Sequence, residues 1–365
     1  MATVFSSASH RFFACRQRVL AGKSSAKRDV RRRAAQYGSD MHRRLRAGAI
    51  GIAASLLAVT GALCQRAPSA PDMNTFQDRS ILDPFVPTSG RVLLPFRLTN
   101  GYILVDASVN GTPGVFMFDT GTPMTFFLNR ALAPLDSGKP LSVGTAASGQ
   151  QFQLFLHDKV KDIDVASRLH FADLDGIRSA DFSFVQQGIA ADFLGFMGYP
   201  LFKPYEFTID YAARHIAVRR APATADGNEP PPGASTKIAT FAVTAVGPQP
   251  GSMTLQAGTI ELPALFDSGS PGVLKLTDPH RAALLAAGVL VPSTKGAGGT
   301  RDRSAPTLYT LQAVTYQGQA FTIDELTVES AAADLLSIGY PFLKHYRSVW
   351  NATLGTVTLW DATVR

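Results

Sequence analysis

The sequence predicts an all-β protein of two lobes, similar halves related by a pseudo-twofold axis with a cleft between them. Three observations carry this expectation. A tetrapeptide Asp-Ser/Thr-Gly-Ser/Thr occurs twice, as Asp119-Thr120-Gly121-Thr122 and as Asp267-Ser268-Gly269-Ser270. A Gly-Tyr-Pro segment also occurs twice, at residues 198–205 and 339–346. Most of the remaining chain consists of short alternating apolar runs bounded by turn residues, the pattern of strands.

The tetrapeptide alone is weak, because it arises by chance in roughly one chain in fifty of this length, and a single copy suits a surface turn. Here both copies follow an apolar run ending in Phe, Phe118 or Phe266, and both precede Pro, Pro123 or Pro271. The second repeat agrees in order and spacing, its glycines falling 79 and 72 residues after the two aspartates. The alignment continues without gaps, 207–210 against 348–351 and 216–218 against 357–359. Each copy therefore ends in two short strands around a polar turn.

Read from the N-terminus, residues 1–64 form a basic leader. Within it, residues 47–63 are uncharged and apolar and follow Arg43, Arg44 and Arg46, the layout of a bacterial export signal that is either cleaved or kept as a membrane anchor. Met41 opens a normal-looking signal by itself, so residues 1–40 read as an upstream extension or a cytoplasmic tail. Residues 65–92 read as a Pro/Ser/Asp tether, and residues 222–236, with Pro222, Pro230, Pro231 and Pro232, as an interdomain linker. The lobes are then 93–221 and 237–365, of equal length. Strands are expected at 101–109, 151–156, 308–316 and 320–328. One helix stands out, with Asp278 as N-cap, Pro279 at its first position and Gly288 beyond its end.

Composition narrows the chemistry. Residues 1–46 hold 12 of the 35 Lys and Arg and 2 of the 28 Asp and Glu, so the leader carries +10 and the rest of the chain −3. No basic stripe is left to bind nucleic acid. The only cysteines are Cys15 and Cys64, which excludes a disulfide, a thiolate metal site or a Cys nucleophile in the body. Seven histidines lie scattered without His-x-x-x-His spacing, and read as surface or packing residues. No metal and no cofactor is expected.

The tetrapeptides make sense as one shared site. A strand ending in Phe118 or Phe266 places the next aspartate at the end of a rigid element. Gly121 and Gly269 let the chain turn and bring N–H groups to the carboxylate. The hydroxyls of Thr120 and Ser268 can tie the two loops together, and those of Thr122 and Ser270 can donate to the carboxylates. Two adjacent carboxylates cannot both ionise easily, so one keeps a proton while the other can activate water.

On these residues the chain resembles the aspartic protease superfamily, both the bilobal pepsin-like enzymes and the retropepsin-like bacterial domains. The resemblance covers residues 93–365 and includes two segments, Phe196-Met197-Gly198 and Ser337-Ile338-Gly339, which in that family buttress the active loops. It implies an aspartic endopeptidase with Asp119 and Asp267 as the catalytic pair, an extended polypeptide as substrate, and a complete site in one monomer. The chain departs from the family in four ways. No Tyr lies between Tyr102 and Tyr199 to serve a first-lobe flap; Ser337 replaces an apolar residue; and Pro123 and Pro271 follow the tetrapeptides. Flap candidates are residues 144–151, with Gly149, and 295–300, with Gly298 and Gly299. The rival expectation is a peptide-binding or structural envelope protein on the same fold, without catalysis.

Overall fold

The computed structural model of the chain describes residues 82, 84–146, 150–221, 230–246, 249–293 and 307–362. The expected β class is met, with the strands in three sheets. The first is a ten-stranded sheet. Across it run β6 (Lys139–Thr145), β7 (Gln151–His157), β10 (Ile177–Ala180), β5 (Phe126–Asn129), β11 (Phe193–Gly198), β4 (Thr112–Asp119), β3 (Tyr102–Val109), β8 (Val160–Val165) and β9 (Leu169–Leu174), with β2 (Arg97–Thr99) also on β3. The second has eight strands, in the order β15 (Thr244–Val246), β16 (Gln249–Ala257), β17 (Ile260–Phe266), β22 (Leu335–Ile338), β18 (Val273–Leu276), β21 (Gln319–Ser330), β20 (Tyr309–Tyr316) and β19 (Leu290–Pro292).

The two sheets share a five-strand centre. The series β10-β5-β11-β4-β3 alternates parallel and antiparallel pairings. The series β21-β18-β22-β17-β16 repeats the same order and the same alternation. Burial follows position in the sheet. Central β11, Phe-Leu-Gly-Phe-Met-Gly, is buried at every residue, as an unbroken apolar strand with both faces covered should be. The outer strands β8 and β9 alternate, with Val160, Ile163 and Val165 inside and Lys161 exposed.

The third sheet joins the two halves of the chain. Its six antiparallel strands run β1 (Val92–Pro95), β13 (His215–Arg220), β12 (Tyr205–Asp210), β23 (Tyr346–Asn351), β24 (Thr356–Asp361) and β14 (Lys237–Ala242). The order is palindromic: each half contributes its first strand outermost, then its last, then the one before. The central β12–β23 register is self-complementary. Thr208 faces Val349, its own counterpart in the repeat, while Glu206 faces Asn351 and Asp210 faces Arg347.

An aromatic path crosses this seam behind both tetrapeptides. Phe118 meets Phe207 edge-on at 5.7 Å, Phe207 stacks on Trp350 at 5.5 Å, and Trp350 meets Phe266 edge-on at 5.9 Å. Each such pair adds about 0.5–1.5 kcal/mol beyond its buried area. The residues at the two ends of the path immediately precede Asp119 and Asp267. Nearby, Arg347 Nε donates to Asp210 Oδ2 at 2.7 Å in a buried ion pair across the same seam.

Several sequence expectations need correction. Beside the expected helix, short helices occur at Ser183–Gly188, Tyr199–Phe202 and Tyr340–Leu343, the last two inside the Gly-Tyr-Pro repeats. The Pro at their start suits a helix's first turn and hid one turn of helix among strand signals. The expected helix spans Asp278–Ala286 with Thr277 as its N-cap; Asp278 is its first residue and accepts the Ser330 hydroxyl at 2.8 Å. Part of the stretch read as a tether is folded, since Leu82 and Val86 are buried in the core and Val92 opens β1. The leader and the flap glycines Gly149, Gly298 and Gly299 lie outside the described residues. Among the described residues no helix is long and apolar enough to cross a membrane.

Candidate active site

The parallel pairs β4–β11 and β17–β22 end at the two tetrapeptides. Met197 of β11 lies opposite Phe118, and Ile338 of β22 opposite Phe266. Ile338 then accepts the Asp267 N–H at 2.9 Å. Directly behind each loop stands a glycine with no room for a side chain. A Cβ on Gly198 would strike the carbonyls of Met124 and Thr122, and one on Gly339 the carbonyl of Ser270. The two Gly-Tyr-Pro segments therefore press backbone against the active loops from behind.

The two tetrapeptides meet one another. Asp119, Thr120, Thr122, Ser268 and Ser270 are all but inaccessible, and Asp267 is 4% exposed. Asp119 Oδ1 accepts the Gly121 N–H at 2.8 Å and its Oδ2 accepts the Thr122 hydroxyl at 2.7 Å. Asp267 Oδ1 accepts the Gly269 N–H at 2.9 Å. The loops bind one another reciprocally: the Thr120 N–H donates to Ser268 Oγ at 3.0 Å, and the Ser268 N–H to Thr120 Oγ1 at 2.9 Å. Ser268 Oγ in turn donates to the Phe118 carbonyl at 3.1 Å. Each glycine lies against the other loop's carboxylate. A Cβ on Gly121 would stand 2.8 Å from both Asp267 oxygens, and one on Gly269 would collide with the Asp119 carboxylate.

Burial pushes Asp119 well above the usual carboxylate range, and the neighbouring Asp267 charge pushes it further; the Thr122 hydroxyl and the Gly121 N–H pull the other way. Asp267 is also raised, chiefly by burial. Hydrogen bonds from Asp119, the Gly269 N–H, the Ser337 hydroxyl and the Gly121 N–H oppose that rise. Two buried, raised carboxyl groups in contact titrate as a pair and not as independent acids.

All eight tetrapeptide residues singled out from the sequence come together here. One takes a different part: the Ser270 hydroxyl accepts the Gly272 N–H at 3.1 Å instead of donating to Asp267. The second turn bends back on itself, and Ser337 Oγ reaches Asp267 Oδ2 at 3.2 Å. In the sequence Ser337 stands only as a departure from an apolar motif. Its position opposite Phe196 in the repeat was the signal available.

Three other features escaped the sequence. His157, fully buried, joins Asp136 through Nδ1 and Ser179 Oγ through Nε2 at 2.7 Å, closing the base of the β6–β7 hairpin. Ser179 is equally buried inside β10, paired on both sides, so this trio holds structure and offers no accessible nucleophile. Asp210, at the end of β12, accepts the Ala213 N–H at 2.9 Å and also binds Arg347. Tyr211 is buried against Phe96 and Tyr340 with no partner for its hydroxyl. Its ionisation is pushed up by burial, with smaller contributions from Tyr340 and Asp267. Among the described residues no group of three or more His, Cys, Asp or Glu converges as a metal site would. Compared with known proteins, the chain matches no family model and none of the curated proteins.

Proposed function

We propose that this chain is an aspartic endopeptidase of the superfamily it resembles, with two lobes related by a pseudo-twofold axis and its substrate cleft between them. The observation that carries the reading is the pair of buried, mutually contacting carboxylates, each delivered by one half and locked by reciprocal bonds between Thr120 and Ser268. The repeated five-strand order and the palindromic joining sheet support the two-lobed arrangement. Such a pair is costly to bury, and acid–base hydrolysis is the chemistry that uses it.

In this reading Asp119 carries the shared proton and Asp267 is ionised. A water held between them gives a proton to Asp267 as its oxygen attacks the peptide carbonyl carbon. Asp119 passes its proton to the carbonyl oxygen, leaving a neutral gem-diol. Asp267 then returns a proton to the amide nitrogen and Asp119 recovers one from a diol hydroxyl. The C–N bond breaks to give an acid and an amine. The substrate is an extended polypeptide, the working unit a monomer, and the leader directs export to the periplasm, free or anchored through residues 47–63.

The test is cleavage of a peptide library by the full chain from pH 3 to 8, beside Asp119→Asn and Asp267→Asn. Each variant is expected to lose at least about a thousandfold in rate. A folded wild type that cleaves nothing, yet binds extended peptides, would replace the enzyme by a peptide-binding protein.

A further inference from the structure

The two carboxylates take their outer hydrogen bonds from different places. Thr122, the last residue of the first tetrapeptide, donates to Asp119. Ser270 holds the same place in the second, but its hydroxyl accepts the Gly272 N–H and makes no bond to Asp267. The donor to Asp267 comes instead from β22, where Ser337 pairs with Leu265, two residues before the aspartate. The counterpart of Ser337 on β11 is Phe196. That ring is fully buried against Phe193, Phe182 and Phe127, at 4.9, 5.1 and 6.4 Å. One half fills this strand position with packing and the other with a hydroxyl. A buried serine contributes little packing and costs desolvation, so its value lies in the bond it makes.

We propose that Ser337, in place of Ser270, is the positioning residue for Asp267, orienting its carboxylate and favouring its charged form. A hydroxyl bond to a carboxylate favours the charged form, and removing the donor makes ionisation harder. The titratable groups around Asp267 are Asp119 across the loops and Tyr211 and Tyr340 behind it. Burial pushes the Tyr211 phenol up, away from the acid range, so the titration is read at the two carboxyls. The kinetic consequence rests on the proposed catalysis; the titration does not.

The experiment follows the aspartate carboxyl carbons by NMR in the full chain, ¹³C-labelled at Asp, with Asp119→Asn and Asp267→Asn for assignment. The pH profile of kcat/KM is recorded alongside. In Ser337→Ala the lower apparent pKa of the pair should rise by about 0.5–1 pH unit, moving the acid limb of kcat/KM with it. Ser270→Ala should leave both in place. Ser337→Thr and Ser337→Val differ by one hydroxyl at nearly equal volume, so Thr should titrate like the wild type and Val like Ala. This pair carries the test if Ser337→Ala does not fold. Unchanged titration in Ser337→Ala or Val, or an equal shift in Ser270→Ala, overturns the inference even if peptide cleavage depends on both aspartates. A shifted titration in a protein that cleaves nothing upholds Ser337 and overturns the protease.

Discussion

Replacing Asp210 by alanine strands the Arg347 guanidinium inside the seam between the halves. The two side chains are 6% and 3% exposed, and their bond is 2.7 Å long. Arg347 Nη1 is already buried without a partner, and Gly233 packs against the same guanidinium. Alanine also removes the acceptor for the Ala213 N–H. Breaking a buried ion pair from one side costs about 3–5 kcal/mol, and the lost turn bond about 1 more. Against a total stability of about 5–15 kcal/mol, that is about a quarter or more. Urea unfolding followed by Trp fluorescence is a suitable assay, because Trp350, one of only two tryptophans, lies in this seam. Asp210→Leu with Arg347→Met should recover most of the loss, since no charge then remains to be desolvated. A single-variant cost below about 1 kcal/mol, or a double variant no better than Asp210→Ala, would refute the argument.

Other outcomes follow from the site. Both dyad carboxyls ionise at higher pH in the folded state than when unfolded, so their contribution to stability is present at low pH and is lost as pH rises through the folded values. Asp119→Asn should therefore flatten the fall in thermal midpoint from acid to neutral pH and be at least as stable as wild type at pH 7; a wild-type slope would count against the shared proton. Ser268→Ala removes the acceptor of the buried Thr120 N–H and a donor to the buried Phe118 carbonyl, and should cost about 1–3 kcal/mol in urea; a loss within error would mean the loops are held by packing alone. Gly339→Ala puts a Cβ onto the Ser270 carbonyl and should yield no folded protein by circular dichroism, whereas Gly188→Ala, which meets nothing within 4 Å, should fold normally.

The sequence exposed what repeats and hid what does not. The two tetrapeptides and the two Gly-Tyr-Pro segments are legible because each half needs the same backbone, a tight turn at Gly121 or Gly269 backed by a side-chain-free residue at Gly198 or Gly339. Strands β7 and β12 are legible from their apolar runs. The seam is not, because β1 and β14 owe their places to partners more than a hundred residues away. Ser337 and Arg347 are hidden for a related reason. Each is a polar residue in a strand that reads as apolar or neutral, and only the partner across the fold, Asp267 or Asp210, gives it a role. Leu82 and Val86 were masked by the Pro, Ser and Asp around them.

The site depends on both halves of the chain. Burial raises the ionisation of both carboxyls, and the Asp267 charge raises that of Asp119 further, so the pair works against the fold at neutral pH. Something must hold the loops together against that cost. The bonds that do so are reciprocal: Thr120 and Ser268 each donate a backbone N–H to the other's hydroxyl. The aromatic path behind them alternates ownership, with Phe118 and Phe207 from one half and Trp350 and Phe266 from the other. Gly121 makes room for Asp267, and Gly269 for Asp119. Each half supplies the hydrogen bonds to its own carboxylate, but the bonds that hold the two loops together, and the room each carboxylate occupies, come from the other half. The site is therefore a property of the seam, and the Asp210–Arg347 pair that crosses the same seam belongs to its support even though it touches neither carboxylate.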